Sequence, residues 1–233
     1  MEKSKILIVD DDYEIQKVLD ILLSKEGFAT VKAENGAKAL EIMDDTFDLV
    51  ILDIMMPDID GYSVCLSIRQ NYNTPILFLS AKSSDNNKAM GFLTGCDDYI
   101  TKPFSTIELI ERVKAMLRRY IVYKGKPIHG KDALLQVKDI YVNESTGKVT
   151  HNENEITLTP IEYAIFLLLA KNPKKIFSIQ NIYESVWDEA YDFNANSTVM
   201  VHINNLKKKL AVHNNEMKYI TNVWGRGYCI EIC

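Results

Sequence analysis

Little in this 233-residue sequence suits an exported, membrane-bound or uniformly basic protein. Cysteine is scarce. Cys65, Cys96, Cys229 and Cys233 are scattered with no CxxC pair, which excludes a disulfide framework and leaves packing roles for reduced thiols. His151, His202 and His213 lack Cys or carboxylate partners at ligand spacing, so zinc is not expected. No apolar run approaches the roughly 18 residues that span a bilayer. The opening MEKSKILIVDDD turns acidic too soon for a secretory signal, so a cytoplasmic protein without membrane contact is expected. Positive charge is not in excess either. The net charge is -5, with 14 Lys and Arg against 20 Asp and Glu over residues 1–120, and 13 against 12 over residues 121–233. Any nucleic-acid contact must rest on a local patch, and Lys207 to Lys209 is the obvious one.

What is present is a regular alternation over residues 1–120. Short apolar runs (ILIV, ATVKA, LVILD, PILFLS, DYIT) alternate with five amphipathic stretches, near 13–26, 36–44, 61–70, 83–94 and 105–119. LVIL and ILFL carry no polar alternation, so both faces of those strands must be covered. The pattern predicts a doubly wound, five-stranded parallel α/β sheet of flavodoxin-like type, whose ligand site lies at the carboxyl ends of the strands. Residues 121–131 (IVYKGKPIHGK) are polar and aperiodic and read as a linker. Over residues 132–233 follow strand-like pieces near 136–142, 148–151 and 155–158. Helices are then expected from Thr159-Pro160, over 178–186 and over 196–210, and the chain closes with a hairpin in YITNVWGRGYCIEI. A small sheet, three helices and a closing hairpin form a winged helix-turn-helix order.

Carboxylates collect at the predicted strand ends. Asp10 and Asp11 follow ILIV, and Asp53 follows LVIL. Gathering like charge this way is costly unless a hard cation such as Mg2+ offsets it. Ser80 follows the fourth strand and Lys102 the fifth, which adds a hydroxyl and an ammonium able to meet phosphoryl oxygens. Metal, carboxylate, hydroxyl and ammonium make a phosphoryl-transfer set.

LIVDDD, LDIMMPDIDGY, LSAK and DDYITKPF, in this order and spacing, resemble the signature of response-regulator receiver domains over residues 4–120. The resemblance implies Asp53 as phosphoacceptor and Asp11, Asp53 and the Met55 carbonyl as Mg2+ ligands, with Asp10 an outer acid of the metal site. It further implies Ser80 and Lys102 at the phosphoryl group, Tyr99 as an aromatic that swings inward on activation, and a sensor histidine kinase as donor. Singly these residues read more blandly: a strand-end Asp is usually a helix cap, as Asp12 is expected to be, and Tyr99 alone would be core. Neither Met55 nor Lys82 offers a group to position attacking water, so a long-lived phosphoform and no turnover enzyme are expected. Lys88, Asp97, Asp98, Glu108, Arg112 and Arg119 could be a solvated charge set. They also match charges that pair across a homodimer in the winged-helix subfamily, as Lys88 with Glu108, Asp98 with Arg112 and Asp97 with Arg119.

The second half, from LTPIEYAIFLLLAKNP to YITNVWGRGYCIE, resembles the OmpR/PhoB winged-helix domain and is most similar to its VanR-like branch. The resemblance implies promoter DNA as partner, with RNA polymerase a further candidate. Thr198, His202, Lys207 and Lys208 would meet phosphates, Met200, Val201 and Asn205 would face bases, and Arg226 would enter the minor groove. Asn204 and Asn205 stand where the family often has Arg. Asn suits adenine, so an A/T-leaning site is expected. Trp224 reads equally as core. Three rivals stand beside this reading: a haloacid-dehalogenase-type phosphatase with Asp10 as nucleophile, a constitutive DNA-binding protein with a silent receiver, and a regulator acting only through protein contacts. The first wants a small β-branched residue where Tyr13 and Glu14 stand, and leaves LDIMMPD unexplained.

Overall fold

A computed structural model describes residues 3–80, 94–123, 134–152, 154–188, 191, 195–211 and 219–231. The chain divides into two compact units, residues 1–120 and 121–233. No helix among the described residues is long and apolar enough to cross a membrane.

In the first unit, β1 (Lys5–Val9), β2 (Ala29–Ala33), β3 (Leu49–Asp53), β4 (Ile76–Ser80) and β5 (Asp98–Thr101) form one sheet in the order β2-β1-β3-β4-β5, all parallel. Every residue of β3 and β4 is buried, as the unbroken apolar runs require. Among the described residues four helices accompany the sheet: α1 (Tyr13–Lys25), α2 (Gly36–Ile42), α3 (Gly61–Arg69) and α4 (Thr106–Tyr123). Ile6, Ile8, Leu49, Ile51, Leu77 and Leu79 pack one sheet face against Leu19 and Leu23 of α1 and Leu109, Val113 and Met116 of α4. Asp12 caps α1, its carboxylate accepting from the Glu14 and Ile15 amides. The helix expected over 83–94, with Lys82 and Lys88, lies outside the described residues. α4 runs to Tyr123, three residues into the segment read as linker, because RRYIVY continues the helical period before Gly125.

The second unit opens with an antiparallel sheet of β6 (Leu134–Val137), β7 (Ile140–Asn143), β8 (Lys148–His151) and β9 (Asn154–Glu155). The strand expected over 136–142 is therefore two. Lys138 takes a φ of 56° and turns the chain, and Asp139 is held by Tyr219 Oη at 2.7 Å and faces His151 Nε2 at 2.8 Å. Burial opposes ionisation of Asp139, but these two partners outweigh it and hold its carboxyl below the usual range. A group with a depressed folded pKa contributes stability above its unfolded pKa and loses it as pH falls through the folded value. Asp139→Ala is expected to cost this unit about 2 kcal/mol at neutral pH. The deficit should shrink in acid, and equal unfolding midpoints at pH 7 would contradict it.

The helices α5 (Pro160–Ala170), α6 (Ile179–Trp187) and α7 (Ala195–Ala211) then pack around a core of Phe166, Leu169, Ile182, Trp187, Val199, Ile203 and Leu206. Thr159 and Glu162 form a capping box with Pro160 in the first turn, which starts α5 where the sequence places it. Lys209 Nζ reaches the buried Glu162 at 2.7 Å and ties α7 to that cap. The hairpin β10 (Thr221–Val223) and β11 (Gly227–Cys229) closes the chain, with Tyr228 bridged to Phe177.

Candidate functional site

The strand order reverses between β1 and β3, and the acids stand at their carboxyl ends, where such sheets open a crevice. Asp10 and Asp53 are buried, while Asp11 is exposed. Lys102, just past β5, places its Nζ 2.7 Å from Asp10 Oδ2 and 2.7 Å from Asp53 Oδ1. Its own amide donates to the Ser80 carbonyl at 2.7 Å, which fixes its position at the sheet edge. Burial alone would lower the Lys102 pKa, but the two carboxylates raise it above the ordinary lysine value. Burial pushes the Asp10 carboxyl up despite its bonds from Lys102 and the Asp12 amide.

The loop after β3 is built around Asp53. The Met55 amide donates to Asp53 Oδ2 at 2.6 Å, and Met55 itself is exposed. Asp58 accepts from the Gly36 and Ala37 amides at the start of α2, and Asp60 caps α3 through the Ser63 amide. Gly61 comes so close that a Cβ there would lie 2.2 Å from the Asp53 carbonyl oxygen. Asp58, Asp60 and Gly61 were not singled out from sequence. PDIDG reads there only as part of a motif, although Asp-Gly before an apolar run is itself a turn-and-cap signal.

Ser80 ends β4 and is fully buried, and the Tyr99 hydroxyl is hydrogen-bonded to it. Tyr99 is buried, with its hydroxyl pKa raised by burial against that bond, so the ring expected to swing inward is already inward in this structure. Asp11, Asp53 and the Met55 carbonyl offer only oxygen donors. Mg2+ suits such a set, since it takes one or two protein carboxylates and keeps several waters. No group of three or more His, Cys, Asp and Glu able to hold a metal occurs among the described residues.

One expected dimer pair needs correction. Asp97 is buried and bound to Arg69 Nη2 at 2.7 Å and to the Ile76 amide at 2.9 Å, so it cannot face Arg119 of a second copy. Asp98 and Arg112 do pair, at 3.1 Å, but within one chain, and Arg112 also meets Glu108 at 3.2 Å. Arg119 is half-buried on α4, and Lys88 lies outside the described residues.

On α7 the buried stripe is Ala195, Thr198, Val199, His202, Ile203, Leu206 and Leu210. Thr198 and His202, expected at phosphates, therefore point into the core, where His202 packs on Trp187 with ring centroids 5.7 Å apart. The helical period carried this information: 195, 199, 202, 206 and 210 form one face. Opposite it, Met200, Asn204 and Lys208 are exposed, with Val201 and Asn205 half-buried beside them. Asn204 belongs to this face although Asn205 was favoured from sequence. Lys207 lies over the Tyr228 ring, 5.0 Å from its centroid, and Arg226 is exposed on the hairpin.

A doubly wound unit with a Lys-bridged acid pair, followed by a three-helix unit with a closing hairpin, defines the class of receiver-plus-winged-helix regulators. Comparison with known proteins agrees. Residues 6–114 match the response regulator receiver domain, and residues 153–230 match the C-terminal domain of transcriptional regulatory proteins. The chain is 46% identical over 224 residues to the uncharacterized transcriptional regulatory protein YrkP of Bacillus subtilis, covering 96% of each. It is 38% identical to regulatory protein VanR of Enterococcus faecium, over 97% of this chain and 98% of that one. The solved response regulator DrrB of Thermotoga maritima, an OmpR/PhoB homolog, superposes with a TM-score of 0.51 at 29% identity, over 99% of this chain and 100% of that one. The protein belongs to the OmpR/PhoB family of two-component response regulators, which are transcriptional regulators rather than turnover enzymes.

Proposed function

We propose that Asp53 accepts a phosphoryl group from a sensor histidine kinase and that the phosphorylated chain dimerises and binds promoter DNA in the cytoplasm. The observation that carries this reading is Lys102 bridging Asp10 and Asp53 at 2.7 Å each, a fixed cation where a transferred phosphoryl group would sit. Asp11, Asp53 and the Met55 carbonyl would hold Mg2+, which when bound neutralises charge on phosphoryl oxygens. Asp10 holds Lys102 in place. Ser80, now bonded to Tyr99, would turn to the phosphoryl group and release that ring, shifting the neighbouring surface. Dimerisation keeps support from the exposed Glu108 and Ile107 on α4, with the in-chain Asp98–Arg112 pair fixing the shape of that face. RNA polymerase remains a candidate partner of the DNA-bound form.

For the second unit, Met200, Val201, Asn204, Asn205 and Lys208 form the reading face of α7, with Lys207 and Arg226 beside the hairpin. Asn at 204 and 205 favours adenine, each bidentate pair giving about 1–3 kcal/mol of discrimination. The test is selection of bound duplexes from a random pool, with and without acetyl phosphate. Phosphodonor-dependent recovery of an A/T-leaning motif, lost in Asp53→Asn and shifted towards G in Asn205→Arg, is the expected result. Equal recovery by Asp53→Asn would favour a silent receiver instead.

A further inference from the structure

The buried face of α1 is made by Gln16, Leu19 and Leu23, so an amide stands where the helical period calls for another apolar residue. Gln16 is 6% exposed. Burying an amide costs stability unless its polar atoms are hydrogen-bonded, and here the bonds run to main-chain oxygens beside the acidic site. Gln16 Nε2 donates to the Asp10 carbonyl and to the Ala33 carbonyl, both at 2.8 Å. Only the NH2 end of the side chain can serve two acceptors in this way.

These bonds fall where the sheet runs out. The β1–β2 ladder ends at Val9 and Ala33, and past it the Asp10 amide donates to the Ala33 carbonyl at 3.3 Å. Gln16 carries the pairing of the two strands one peptide further, with side-chain donors in place of main-chain ones. Asp10 is then held at every polar group. Its carboxylate oxygens accept from the Asp12 amide at 3.0 Å and from Lys102 Nζ at 2.7 Å, and its carbonyl accepts from Gln16. Asp12 is fixed in turn as the cap of α1. Asp11 lies between the two and is exposed. Its place is set by these flanks, above all by the plane of the Asp10–Asp11 peptide, whose oxygen Gln16 holds.

We propose that Gln16 is a positioning residue for the metal site: by tying the Asp10 carbonyl to the end of β2, it aims the Asp11 carboxylate at the place where Mg2+ would be held. The inference rests on the reading that Asp11 and Asp53 bind Mg2+. It adds a residue on the β2 side of β1, away from β3 and Asp53, that touches neither the metal nor the phosphoryl group. A residue acting through a ligand in this way changes how tightly the cation is bound more than how fast the phosphoryl group is transferred at saturation.

The experiment uses the full chain, stripped with chelator, titrated calorimetrically with MgCl2 and then phosphorylated with acetyl phosphate over a range of Mg2+ concentrations. Gln16→Met, which keeps the length of the side chain but has no donor, should raise the Mg2+ Kd about tenfold. Gln16→Asn, whose amide stops one methylene short of the two carbonyls, should act in the same direction. The Mg2+ needed for half-maximal phosphorylation should rise by the same factor, while the rate at saturating Mg2+ stays close to that of the unmodified chain. Leu23→Val is the control. It lies about two turns further along the same buried face, and should lower the urea midpoint and leave the Mg2+ Kd unchanged. A Kd unmoved in Gln16→Met and Gln16→Asn, or raised as much in Leu23→Val, would overturn the assignment and leave Gln16 a packing residue. So would a lost maximal rate at an unchanged Kd. If the unmodified chain takes up no Mg2+, the metal reading itself fails, an outcome distinct from a silent Gln16.

Discussion

Lys102→Ala is expected to destabilise the first unit by about 3 kcal/mol in chelator-treated buffer, the usual cost of breaking a buried ion pair from one side. Asp10 is 1% exposed and Asp53 4%, and Lys102 is the cation placed between them. Without it two buried like charges face each other with less water than either needs. Millimolar Mg2+ should return part of the lost stability, because a second cation then offsets the same carboxylates. Phosphorylation should fall steeply even with Mg2+ present, since a fixed positive charge at the incoming group is gone. Urea unfolding with and without Mg2+ reads the first effect, and phosphate incorporation reads the second. An unchanged midpoint in chelator would mean that Lys102 is a surface residue with ordinary contacts.

The second large effect lies in the other unit. A Cβ at Gly227 would lie 1.9 Å from the Phe177 carbonyl oxygen and 2.6 Å from the Phe177 carbonyl carbon, both backbone atoms that cannot rotate away. Its φ of 130° adds strain for any side chain. Gly227→Ala must therefore separate β11 from Phe177 and lose the bridge through which the Phe177 and Tyr228 backbones exchange hydrogen bonds at 2.9 Å. A cost of about 3 kcal/mol or more is expected, with loss of DNA binding. Gly225 is the control. Nothing lies within 4 Å of its added Cβ and its φ is 69°, so Gly225→Ala should cost only about 1 kcal/mol. Phosphorylation of Asp53 should proceed in both variants. Similar unfolding midpoints for the two would contradict the packing argument.

The receiver half was legible because its signals are local: unbroken apolar runs mark buried strands, and acids at their ends mark the crevice. Asp12 as cap and Thr159-Pro160 as helix start were likewise readable from short-range rules. Failures came where tertiary partners decide. QVKDIYV alternates like one strand, yet Lys138 turns it because Asp139 meets His151 from another strand and Tyr219 from 80 residues away. Asp97 and Asp98 look equivalent in sequence, but a strand start turns one towards Arg69 and the other towards Arg112. The family resemblance puts Thr198 and His202 at phosphates, although the period of α7 places them with Val199 and Leu206. Trp224, which reads equally as core in the sequence, is 93% exposed, because a glycine turn whose geometry no spacing rule supplies carries it at the hairpin tip.

Intact-mass measurement and peptide mapping of the full chain, incubated with Mg2+ and acetyl phosphate, tests the central claim most directly. One phosphoryl group should appear on Asp53, be released by hydroxylamine, and be absent from Asp53→Asn. A protein that gains no such mass, or carries it on Asp10 instead, would contradict the account.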